Sequence, residues 1–75
     1  MKWNIGLPTK SGEYVCFTKY GQITTYDYSE HHKCFNCNDW FTKEEANKYN
    51  VNNSVVKWIS LKTFLTKEGL QNEKL

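Results

Sequence analysis

Seventy-five residues make one small domain, and a net charge of +2 is too small to imply a polyanion partner. A core of this size supplies only about 3–5 kcal/mol of net stability. The chain compensates with three Trp, five Tyr and four Phe, side chains that each bury a large area. All ten basic residues are lysine, so the bidentate arginine grip on guanine, phosphate and carboxylate is missing, which argues against a base-reading DNA binder.

Met1-Lys2-Trp3-Asn4 leads directly to Gly6 and Pro8 without an apolar signal-peptide region. No run approaches the ~18–20 apolar residues that cross a bilayer. A cytoplasmic chain without membrane association is the expectation. Three cysteines cannot all pair internally, and free thiols are expected in a reducing compartment.

In chain order, Leu7-Pro8 excludes helix at residue 7, and Lys10-Ser11-Gly12 makes a turn. Glu13 to Lys19 reads as a strand. Tyr20-Gly21 reads as a two-residue hairpin turn, and Gln22 to Tyr28 as the returning strand. Both strands carry apolar residues on both faces, as in a curled sheet with helices packed on it. Ser29 to Lys33 is loop-like, and Cys34-Phe35-Asn36-Cys37 reads as a short third strand. Thr42-Lys43-Glu44-Glu45 is a capping box that starts a two-turn helix ending at Tyr49, with Asn50 as a left-handed exit. Asn52-Asn53 makes a turn, and Ser54 to Ser60 is the last strand, with Val55, Val56, Trp58 and Ile59 buried. Leu61, Phe64, Leu65 and Glu68 have helical spacing, with Gly69 as the stop. Residues 70–75 form a frayed tail. The fold class expected is α+β: a small antiparallel sheet of three to four strands, one short central helix and a C-terminal helix.

Trp3, Leu7-Pro8, Gly12-Glu13-Tyr14-Val15, the lone Phe35 and Val56-Lys57-Trp58-Ile59-Ser60-Leu61 together resemble a family of short phage- and prophage-encoded domains of unknown function. The resemblance spans about residues 3 to 61 and implies a structural role for the matched residues. Trp3 and Trp58 are expected to pack together and close the domain. A phage origin implies a non-enzymatic accessory protein acting on a host protein or nucleoprotein complex. An inhibitor of antiviral defence, of the anti-CRISPR kind, is one such role.

Candidate chemistry is concentrated in the middle of the chain. His31, Cys34 and Cys37, with Cys16 as a fourth ligand, are zinc-type donors. Strand alternation, however, would put Cys34 and Cys37 on opposite faces. That argues for small buried thiols without a metal or other cofactor. A redox role for the Cys-x-x-Cys pair lacks the helix N-terminus that lowers a thiol pKa. Ser, His and Asp are present but in no recognisable nucleophile elbow. Asp27, Glu30 and Asp39 flank the central loop, where they could form an acid/base pair or a metal site; solvated loop charges are the favoured reading.

Two binding surfaces therefore compete. A protein-contact surface on Glu30, His31, His32, Asp39, Trp40, Glu44 and Glu45 combines aromatic anchors with an acidic rim. The alternative is a nucleic-acid surface on Lys10, Lys19, Tyr20, Tyr26 and Lys33, where lysines interleave with stacking rings. A zinc-stabilised adaptor is a third reading.

Overall fold

The computed structural model describes residues 2–68. Four strands, β1 (Gly12–Thr18), β2 (Ile23–Ser29), β3 (Cys34–Phe35) and β4 (Val55–Ser60), form one antiparallel sheet in the order β3-β2-β1-β4. Helix α1 (Lys43–Tyr49) and a 3-10 turn (Asn52–Ser54) link β3 to β4, and helix α2 (Leu61–Glu68) follows. The small α+β class expected from the sequence is the one observed. Gly69 and the proposed tail lie outside the described residues.

The β1–β2 connection is longer than a two-residue turn. Thr18 N–H donates to the Gln22 carbonyl at 2.8 Å, which leaves Lys19, Tyr20 and Gly21 as the loop. The buried Thr18 hydroxyl accepts from the N–H groups of Tyr20 and Gln22 at 3.3 and 3.2 Å. Gly21 has φ of 82°, a value that side-chain-bearing residues avoid. The extra loop residue fixes the register: Tyr14 faces Tyr26, and Glu13 faces Asp27. A two-residue turn would have shifted every one of these pairs.

Alternation then divides the sheet into two faces. On one, Tyr14, Cys16, Tyr28 and Phe35 form the main core, joined by half-buried Tyr26, Val51, Val55 and Trp58. Their rings meet edge to face, with Tyr14–Trp58 centroids 5.1 Å apart and Tyr28–Phe35 centroids 5.0 Å apart, the geometry that ring quadrupoles favour. The other face buries Val15 and Ile59 and carries Phe17. Trp3 packs on Phe17 at 6.4 Å. The two end tryptophans therefore do not stack on each other, because residues 57 and 58 of β4 point to opposite faces. Trp58 instead bonds the N-terminal segment: its Nε1–H donates to the Gly6 carbonyl at 2.8 Å, and its backbone pairs with Asn4. Val56, expected to be buried, is exposed on the edge strand.

Helix α1 starts as the sequence predicts. The Thr42 hydroxyl accepts from Glu45 N–H at 3.1 Å, and the Glu45 carboxylate accepts from Thr42 N–H at 2.8 Å. Asn50 leaves the helix with φ of −57° and ψ of 127°, an extended and not a left-handed exit. Its side chain instead accepts from Asn52 N–H at 2.7 Å. Asn52 then bridges to β3, accepting from Phe35 N–H at 2.8 Å and donating to the Lys33 carbonyl at 2.9 Å. One asparagine thus satisfies backbone groups on the outer edge of a two-residue strand.

Candidate functional site

The segment from Ser29 to Phe41 is loop for most of its length, yet it is densely bonded. Strand β3 lasts only two residues because Asn36 adopts φ of 67°, a left-handed conformation that Asn tolerates. The N–H groups of Asn36 and Cys37 both turn toward the Asp27 carbonyl. This reversal corrects the alternation argument made from the sequence. Cys37 returns to the side of Cys34, and the two form a disulfide with Cα atoms 5.9 Å apart. The expectation of three free thiols is overturned for this pair; Cys16 alone is free and buried. Cys34 and Cys37 pack with Ala46 of α1 and with half-buried Phe41.

The four zinc-type residues are not assembled. Cys16 belongs to the main aromatic core, Cys34 and Cys37 to the second cluster. His31 lies in the exposed turn with its ring against that of His32 at 4.6 Å. Among the described residues, no three or more His, Cys, Asp or Glu side chains gather as metal ligands. Burial raises the Cys16 thiol pKa to about 11.

Asp39 is the hub of the loop. Its Oδ1 accepts from the hydroxyls of Ser29 and Ser11 at 2.7 and 2.8 Å. Those two bonds, Ser29 first, hold its carboxyl below the usual range. The Ser11 hydroxyl accepts from Glu30 N–H at 2.7 Å, and the Glu30 carboxylate accepts from Ser11 N–H at 3.1 Å. His32 Nε2 lies 2.8 Å from the Phe41 carbonyl. Ser29, His32 and Asp39 thus sit close in one loop without the connectivity of a nucleophilic triad, since the serine donates to the acid and the imidazole meets a carbonyl.

Of the seven residues expected on a protein-contact surface, Asp39, Glu30 and His32 hold the loop together, and Glu45 holds the helix cap. Glu44 and His31 are exposed. Trp40 is 82% exposed. It borders a cleft of about 350 Å³ whose walls include Glu13, Asp27 and Asp39. The sequence grouped Asp27 with Glu30 and Asp39 beside the central loop and gave Glu13 only as a structural anchor, so it did not pair the two. The signal for both was the hairpin register, which a two-residue turn misreads by one place.

The alternative surface is dispersed. Lys19 lies over the Tyr20 ring at 5.4 Å at the hairpin tip. Lys10 and Lys33 lie at the other end of β1 and β2, a strand length of about 20 Å away. Tyr26 is half-buried against the core. No helix among the described residues is long and apolar enough to cross a membrane.

Comparison with known proteins finds no matching family model, no matching curated protein and no matching solved structure.

Proposed function

We propose that this chain is a non-enzymatic binding module that acts by protein contact through Trp40 and the loop that carries it. The observation that carries the reading is the exposure of a tryptophan at 82% on a loop cross-linked by a disulfide and by the Asp39 bonds. Exposing so large an aromatic forgoes burial of the kind a small core needs, and rigid Trp side chains are the usual centres of binding hot spots. The Ser, His and Asp side chains of the loop are engaged in holding it, which favours contact over catalysis. The resemblance to short phage and prophage domains supplies the biological setting: an accessory protein that inhibits a host protein, one of antiviral defence among the candidates.

The test is affinity capture from host lysate with wild-type protein and Trp40→Ala, with and without nuclease. One partner retained after nuclease and lost with Trp40→Ala is the expected result. Capture that disappears with nuclease, or that ignores Trp40, would transfer the function to nucleic acid or to another surface.

A further inference from the structure

We infer that the cleft beside Trp40 receives a cationic side chain, arginine or lysine, from a basic segment of the partner protein. This rests on the contact reading above and gives it a chemistry.

Three features meet there. Trp40 presents an open indole as one wall, and tryptophan is the best aromatic face for a cation. Glu13 and Asp27, exposed on β1 and β2, are directly opposite each other across the strands. Like charges so placed repel, and a cation between them removes the repulsion when it binds. Asp39 adds a third carboxylate, already fixed by Ser11 and Ser29. A neutral or anionic occupant would leave the Glu13–Asp27 repulsion in place. Charge complementarity therefore selects a cationic partner segment. The cleft, about 350 Å³, accommodates one long side chain. The walls come from the β1–β2 hairpin and from a loop bonded to it, so little ordering remains to be done on binding.

The probe is an acetylated, amidated peptide of alternating arginine and glycine, compared with the same peptide carrying glutamine for arginine. Binding is followed by the Trp40 indole N–H resonance. The arginine peptide should shift that resonance saturably, and the glutamine peptide should not. The isosteric double variant Glu13→Gln, Asp27→Asn should weaken binding at least about tenfold while melting no lower than wild type, since it removes a like-charge pair. No saturable shift, equal affinity of the double variant, or a larger response to single-stranded DNA than to the arginine peptide would overturn the proposal. If a captured partner depends on Trp40 but not on Glu13 and Asp27, the contact reading stands and the cation cleft falls. If no Trp40-dependent partner is captured, the contact reading itself fails.

Discussion

Cys16 shows how one side chain reports the core. It is fully buried between aromatic neighbours, and burial raises its thiol pKa to about 11. The thiolate is the reactive form, so native protein should resist iodoacetamide at neutral pH and take up one equivalent at Cys16 on unfolding. Rapid labelling of the native state would show that the core opens. The same shift has a consequence in alkali. A thiol whose folded pKa is raised contributes stability that is complete below its unfolded value near 9 and is lost as pH climbs toward about 11. Tyr14 and Tyr28, raised mainly by burial, act in the same direction. Asp39 works in the opposite range. Its hydrogen bonds from Ser29 and Ser11 depress its pKa, so its contribution is present above the ordinary carboxylate range and fades as pH falls through the folded value. Asp39→Asn should therefore melt below wild type at neutral pH, and the difference should narrow in acid. A gap in melting temperature that stays constant from neutral pH into acid would mean that the carboxylate is not what the serines hold.

Two elements decide how the loop is held. The Cys34–Cys37 disulfide closes a loop of sequence separation 3, and chain-entropy reasoning for so short a ring gives about 2 kcal/mol. The double variant Cys34→Ser, Cys37→Ser should lose about that much in denaturant titrations. A loss near zero would place the stabilisation in Ala46 and Phe41 packing alone. Removing the Thr42 cap with Thr42→Ala should cost about 1 kcal/mol, an effect confined to α1 and readable by amide exchange there. The helix was legible in the sequence because a capping box is a local signal, complete within four residues. The strands of the hairpin were legible for the same reason, through the apolar and β-branched run on each side of Gly21. The register was not, because it depends on which backbone groups the Thr18 hydroxyl satisfies. That single residue of offset hid the Glu13–Asp27 pair and half of the candidate cleft. The disulfide was hidden by a comparable local event, the left-handed turn at Asn36, which strand periodicity does not anticipate. Trp3 and Trp58 were expected to pack together, but Trp3 meets Phe17 and Trp58 meets Tyr14, because their faces follow from pairing with β1, a non-local fact.

At the scale of the molecule, the two tryptophans of greatest interest divide the tasks. Trp58 is half-buried against Tyr14 and bonded to Gly6, so Trp58→Ala should cost about 3 kcal/mol, the low end for a large aromatic. Trp40→Ala should leave the thermal midpoint almost unchanged, as surface replacements do. A reversal of these two effects would exchange their roles and remove the basis for a contact surface at Trp40. The pairing of Asn4 with Trp58 also sets a timetable. It joins positions 54 residues apart in sequence, and β4 lies beside the earliest strand, β1. Contacts of such separation form late, after the entropy of closing a long loop has been overcome. During synthesis, the β1–β2 hairpin, β3 and α1 can associate while the side of β1 that β4 will occupy is still open to water. Until residue 58 is available, an unpaired strand edge and an aromatic face are presented together to the cell. A nascent chain stalled before β4 should therefore be the form that chaperones hold and that self-associates.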